Sequence, residues 1–313
     1  MATVIPQASA PAIATSMMAS LYGAVHTWDD SLTLTDFFGY SGHAFILNIE
    51  RTLCPSGPTA WDWGAILFPL RQILSLRRLC ASCDMRSPEE ARELIWQRTV
   101  AAINAGHPPV LWDAIIPEFY LAHGFDEEAG EYLVQGPLAE TVGGRVSWDS
   151  LGKILGQVWA IFPAPSATRD LTAACDLALR GAITWHRWEN EPDAQWVFGG
   201  DAWDVWIEAI TEEDLAHDSS EISLNHQVYA ECRRHAAQFL DGQGARFAAA
   251  AAAYDEVATA LESLCAAWSF PAPIPSVAKR IELARYLRVA RDAEAVGIAA
   301  MEQALAGDRI VRA

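Results

Sequence analysis

Positive charge is the scarcest resource in this chain. Lys153 and Lys279 are the only lysines, and the 22 basic residues face 40 acidic ones for a formal charge of -18. A field of that sign repels polyphosphate and anionic lipid, which excludes nucleic acid and membrane surfaces as expected partners. No stretch approaches the roughly 20 apolar residues of a membrane span. The alanine run from Phe247 to Tyr254 lies between Arg246 and Asp255 and reads as a water-soluble helix. Met1 to Ser20 has no basic segment followed by an apolar one, so no secretory signal is expected.

Phosphate-binding glycine loops, GxSxG and kinase signatures are also missing. His26, His107, His186, His217, His226 and His235 show no HxH or HExxH spacing, so no metal site is expected. Six cysteines are scattered without framework spacing, which fits a reduced cytoplasm. Cys80-Ala-Ser-Cys83 is a lone CxxC, which cannot complete a tetrahedral zinc site and reads as ordinary thiols at a helix end.

What is present, at 313 residues and 51% hydrophobic, suffices for one large domain or two ordinary ones. Met17, Leu21, Ala24 and Trp28 recur at helical spacing, which predicts a helix opening near Ser16. Trp61 to Leu79 reads as a second helix. Ser87-Pro88-Glu89-Glu90 orders an N-cap, an N1 proline and a capping-box glutamate ahead of a third, which Gly106 stops. Short aromatic and branched segments then predict strands at Pro109 to Trp112, Phe119 to Phe125, Glu131 to Gln135 and Val158 to Phe162, with a turn at Asp126 to Gly130. From Ser166 the period is helical: Ala167 to Trp188, Asp201 to Ile210, Glu221 to Leu240, Arg246 to Trp268 and Val277 to Ala306. The expected organisation is therefore an α+β domain with a small antiparallel sheet over residues 1–165, followed by an all-helical unit over 166–313.

Three stretches sharpen this: Ser16-Met-Met-Ala-Ser-Leu-Tyr-Gly23, Phe38-Gly-Tyr-Ser-Gly-His-Ala-Phe45, and Gly106 to Asp113 continuing through Glu118-Phe-Tyr-Leu-Ala-His-Gly-Phe-Asp126. Their order resembles the papain-like family of bacterial proteins that includes the N-terminal domain of the butirosin-biosynthesis acyltransferase. The resemblance covers roughly residues 10–165. It implies a cysteine opening the first helix, a histidine on the strand entering Gly-Phe-Asp, an orienting acid at the end of the next strand and an oxyanion glutamine shortly before the cysteine. Counting back from Phe38-Gly39 lands on Ser16, and no cysteine precedes Cys54; the histidine position falls at Glu118, the acid at Gln135-Gly136-Pro137, and Gln7 is nine residues before Ser16. His123 is five residues past Glu118 and points to the opposite face of a regular strand.

The resemblance thus implies a papain-like scaffold with its hydrolytic residues replaced. Two function classes follow. One is a cofactor-free binding or accessory protein of a biosynthetic or peptide-maturation system, with a small-molecule or peptide ligand, a carrier protein or other biosynthetic partner, and a homo-oligomer admitted. The other is an acyltransferase or thiol hydrolase acting through Ser16 or Cys54, with Ser16, Glu118 and Cys54 as the catalytic candidates. The expected ligand site is a vestigial cleft of Ser16, Ser41, His43, Trp61, Asp113 and Glu118, with Trp63 near its rim.

Each residue also has a bland reading. Ser41-Gly42-His43 suits a tight turn. Asp113 and Glu118 are either paired carboxylates, one with a raised pKa, or a solvated loop. Cys54, in Cys54-Pro-Ser-Gly-Pro58, is a reactive thiol only with a base beside it, His43, His107 and His123 being the candidates. The thirteen tryptophans, with Trp185/Trp188 and Trp203/Trp206 each at i and i+3, form either a packed seam or an aromatic-lined pocket.

Overall fold

A computed structural model describes the chain except residues 1, 83, 214, 216–219 and 312–313, together with the side chains of 220 and 307–311. His217 and Cys83, the second thiol of the CxxC, lie outside the described residues. In chain order the elements are β1 (Thr3–Val4), α1 (Ser16–Val25), α2 (Leu34–Ser41), β2 (Asn48–Glu50), α3 (Trp63–Ile66), β3 (Leu74–Cys80), α4 (Pro88–Asn104), β4 (Val110–Trp112), β5 (Phe119–Asp126), β6 (Glu131–Gln135), β7 (Arg145–Ser147), β8 (Trp159–Pro165), α5 (Leu171–His186), β9 (Trp196–Phe198), α6 (Asp201–Thr211), α7 (Leu224–Gly242), α8 (Ala248–Ala267) and α9 (Val277–Val311). No helix among them is long and apolar enough to cross a membrane.

The chain divides into two compact units that interleave in sequence: residues 1–37 with 70–170, and residues 38–69 with 171–313. The first is a sheet unit. Its strands run antiparallel in the order β3-β8-β4-β5-β6-β7, and β1 adds to β5. Tyr120 and Ala122 of β5 pack with Tyr132, Val134, Leu111 and Ala160 against Ala91 and Ile95 of α4. The alternating residues Phe119 and Leu121 are equally buried, and α1 packs on β5. The capping box expected for α4 is complete, with Glu90 N–H donating to Ser87 Oγ at 3.2 Å and Ser87 N–H to the Glu90 carboxylate at 3.0 Å.

One expected helix is not there. Trp61 to Leu79 holds only the single turn of α3, a 3-10 turn at Pro69–Gln72, and then β3, which pairs along its whole length with β8. Ile73 and Leu79 are buried, as helical spacing also allows, while the consecutive Arg77 and Arg78 are both exposed, one on each face of the strand. Seven ladder pairs with β8 decided the period.

The second unit is mostly helical and carries a small sheet of its own, β2 against β9. α9 packs on α8, α6 and α5, and α7 on α8. Its core collects Leu47, Ile49 and Leu53 with Trp203, Trp206, Tyr229, Leu261, Trp268 and Leu287. Residues 38–69 are drawn into this unit by three side chains of α7. Arg233, fully buried, donates to Ala44 O at 3.0 Å and Ile46 O at 2.9 Å and is ion-paired with buried Glu294 at 2.8 Å. Tyr229 Oη donates to Asn48 O and accepts from Asn48 N–H, and Asn225 Nδ2 donates to Leu53 O. The motif Phe38 to Phe45 is shaped for the same contact: Phe38 stacks on His235 at 4.3 Å, Phe45 meets Tyr254 edge-on, and a side chain at Gly39 would collide with the Phe239 ring.

Because Arg233 satisfies two carbonyls and one buried carboxylate, Arg233→Met should destabilise this unit by about 3–5 kcal/mol. Urea denaturation followed by far-UV circular dichroism checks it; a loss under about 1 kcal/mol would mean that water replaces the guanidinium.

Candidate functional site

α1 opens at Ser16, where the chain turns from the extended Thr15 into helix. β5 begins at Phe119, directly beside that turn. Ser16 Oγ accepts a hydrogen bond from Phe119 N–H at 3.1 Å and donates one to the Glu118 carboxylate. The two residues that stand where the resemblance puts thiol and imidazole are thus bonded to each other. Burial pushes the Glu118 carboxyl above its ordinary pKa, against the lowering effect of Ser16 O–H and Phe119 N–H.

Asp113 ends β4 in a left-handed conformation, φ 55°. Its own N–H reaches Glu118 O at 3.0 Å, closing the β4–β5 connection. It is not a solvated loop residue. The side chain turns inward, Oδ2 accepting from Ile154 N–H at 3.1 Å and Leu155 N–H at 3.0 Å, and burial raises its pKa. Both carboxylates act on Tyr120, which sequence reasoning passed over. Burial first, then the charges of Glu118 and Asp113, push its phenol up to about 12, while Ile116 N–H donates to the hydroxyl at 3.1 Å. Strand alternation marks Tyr120 as core, so only its hydroxyl could have signalled a polar neighbour.

Gln135, at the position of the orienting acid, is also engaged. Its side-chain oxygen accepts from Ala10 N–H at 3.0 Å and its amide donates to Ala8 O at 3.1 Å. It clamps the segment that leads into α1 and orients no base. His123 sits at a bulge in β5, where the register with β6 shifts between Ala122 and Gly124, and burial lowers its pKa.

The other expected site residues belong to the helical unit. Ser41 Oγ accepts from His43 N–H and donates to Phe38 O, both at 3.1 Å, so this is the tight turn, with Gly42 at φ 80°. His43 is fully buried, stacked on Trp63 at 5.0 Å and edge-on to Trp61 at 5.3 Å. Burial, then the Arg233 charge, drop its pKa to about 3, so the imidazole is neutral. The sulfur that it meets is Cys232, 3.5 Å from Nδ1, and not Cys54. Cys54 lies in a turn whose backbone N–H is held by Glu50. The residues expected to share one cleft are therefore divided: Ser16, Asp113 and Glu118 on the sheet unit, Ser41, His43, Trp61 and Cys54 on the helical one.

What the sheet unit assembles is a hydroxyl, two carboxyls and a phenol, all oxygen and largely buried. That set accepts protons or a cationic group and offers no soft nucleophile. Among the described residues no group of three or more histidine, cysteine or acidic side chains could hold a metal ion.

The raised Glu118 pKa has a measurable consequence. The ordinary value is 4.5, and the folded value lies above it, so the fold favours the protonated acid. Stability from this group is full below the unfolded pKa and is lost as pH rises through the folded one. Glu118→Gln still accepts from Ser16 and does not titrate. Urea midpoints taken from acid to neutral pH should show the variant gaining on the parent across that window; a pH-independent difference would contradict it.

No protein-family model matches the chain, and no curated protein matches its sequence.

Proposed function

We propose that the chain is a papain-like-fold protein without peptidase chemistry, acting as a binding or accessory protein of a biosynthetic or peptide-maturation system. One observation carries the reading. At the head of the first helix and the start of β5, where the family resemblance calls for thiolate and imidazole, Ser16 and Glu118 are bonded together, and the Phe119 amide occupies the serine oxygen as well. A serine needs a strong neighbouring base to attack a carbonyl. Here the carboxylate is tied up by the hydroxyl, the acid position is a structural amide, and nothing orients a base.

The ligand chemistry follows from the charges. Glu118 is partly exposed, Asp113 and Tyr120 lie behind it, and the chain as a whole is strongly acidic. A small molecule or peptide bearing a basic amine fits this field. An acidic carrier protein fits it poorly.

Acyl transfer through Ser16, with Glu118 as its base, is the second reading, favoured by the direction of that same hydrogen bond. The proton would pass from Oγ to the carboxylate as the oxygen attacks an ester or thioester carbonyl, and then to the leaving group.

Peptide and acyl-thioester substrates separate these readings. The binding reading expects no turnover, and none gained or lost in Cys54→Ala. Turnover abolished by Ser16→Ala would install acyl transfer; turnover abolished by Cys54→Ala would install the thiol enzyme. The papain-like correspondence has its own test, because Ser16→Cys combined with Glu118→His rebuilds the family pair. The double variant should react with iodoacetamide at neutral pH at least about tenfold faster than Ser16→Cys alone, the imidazole lowering the thiol pKa. Equal rates would end the correspondence.

A further inference from the structure

Trp188, two residues past the end of α5, has 50% of its surface exposed, unusual for so large an apolar side chain. It is not isolated. Its ring lies 5.8 Å from Trp185 and 6.0 Å from Phe198, Trp185 lies 5.2 Å from Phe198, and Trp61 lies 6.1 Å from Trp185. All four belong to the helical unit, and Trp61, Trp185 and Phe198 are partly exposed.

The planes cross steeply, 89° between Trp61 and Trp185 and 83° between Trp185 and Phe198. Rings at right angles cannot all bury their faces in one another. Trp188, half exposed, and the partly exposed rings beside it make an aromatic corner that presents π-surface to solvent.

The corner is held rigid. Trp185 Nε1–H donates to Leu47 O at 3.1 Å, and Asn190 ties the following loop to β9, donating to Phe198 O at 2.9 Å and accepting from Phe198 N–H at 2.8 Å. That loop carries Glu189, Glu191 and Asp193, all exposed, and among the described residues none of the three enters an ion pair. Asp62, beside Trp61, accepts from Gly64 N–H. The cations nearby are already committed: Arg51 to the carbonyls of Ala194 and Pro192, Arg187 to Glu302.

Beneath Trp61 lies His43, fully buried, with Nε2 lacking any hydrogen-bond partner. Burial, then the charge of Arg233, which Glu294 pairs, keeps this imidazole neutral, so His43 itself adds no positive charge beside Trp61.

We propose that Trp61, Trp185, Trp188 and Phe198 form an aromatic cage for the alkylated ammonium group of a small molecule, with Glu189, Glu191 and Asp193 supplying the compensating charge. The ring quadrupoles attract a cation whose alkyl groups also need apolar cover, and tryptophan faces do so best. A neutral apolar ligand would gain the cover alone, and an anion would meet three carboxylates.

Choline and its uncharged isostere 3,3-dimethylbutan-1-ol are the probes, read by calorimetry and tryptophan fluorescence on the full chain. Choline should bind saturably, and the isostere at least about tenfold more weakly. Trp188→Ala should weaken choline at least about tenfold with unchanged circular dichroism, and Trp188→Phe should restore part of the loss. Lys153→Ala, on the exposed surface of the sheet unit, should bind choline as the parent does, and the choline site is read at Trp188, so failure here leaves the sheet-unit reading standing. Absence of saturation, equal binding of the isostere, or full binding by Trp188→Ala would each overturn the cage.

Discussion

The helical unit depends on one buried charge pair. Arg233 and Glu294 are both almost completely buried, and removing either from water costs several kcal/mol unless every lone pair and N–H finds a partner. Glu294 is ion-paired with Arg233 at 2.8 Å and accepts from Trp203 Nε1–H at 2.5 Å and from Tyr254 Oη at 3.4 Å. Arg233 in turn holds the carbonyls of Ala44 and Ile46 and lies over the Tyr229 ring at 5.6 Å. These demands pull five segments, from α9, α8, α7, α6 and the stretch after α2, into one arrangement. They also explain the interleaving. A loop that would expose its carbonyls to water instead finds the guanidinium already buried and in need of acceptors.

The sheet unit is organised by oxygen rather than by an ion pair. Ser16, Glu118 and the Phe119 amide join the start of a helix to the start of a strand, while Asp113 spends its carboxylate on two backbone amides of the loop at 154–155 and Gln135 spends its amide on the segment at 8–10. Ser16, Glu118 and Gln135 do structural duty where the family resemblance would put catalysis. A buried polar group that is already satisfied has little free energy to offer a transition state. The partly exposed Glu118 is the exception, and it is the reason for assigning a ligand there.

Sequence reading and structure agree where local chemistry decides. The helix at Ser16, the capping box at Ser87, the strands at 110–135 and the C-terminal helices were all legible, because caps, turns and periodicity act within a few residues. The segment from Trp61 to Leu79 was not. Its apolar residues satisfy a helix as well as a strand, and only the pairing of β3 with β8, about ninety residues later in the chain by the spacing of Leu74 and Pro165, breaks the tie. The partnership of Ser16 with Glu118 was legible as a pair of family positions; that of His43 with Cys232 was invisible, since 189 residues separate them and neither has a motif.

By itself, the sequence determined the class of the molecule: acidic, tryptophan-rich, a mixed α and β first half, helices after it, and no cysteine before Cys54. Tertiary structure decided which residues keep company. It assigned 38–69, with Ser41, His43 and Trp61, to the helical unit, because buried carbonyls must find donors wherever in the chain those lie. It also left Trp188 half in water beside two other rings, an exposure that no pattern of spacing reveals. Hydrophobic periodicity says that a ring prefers burial; only the packed neighbours say whether it is granted.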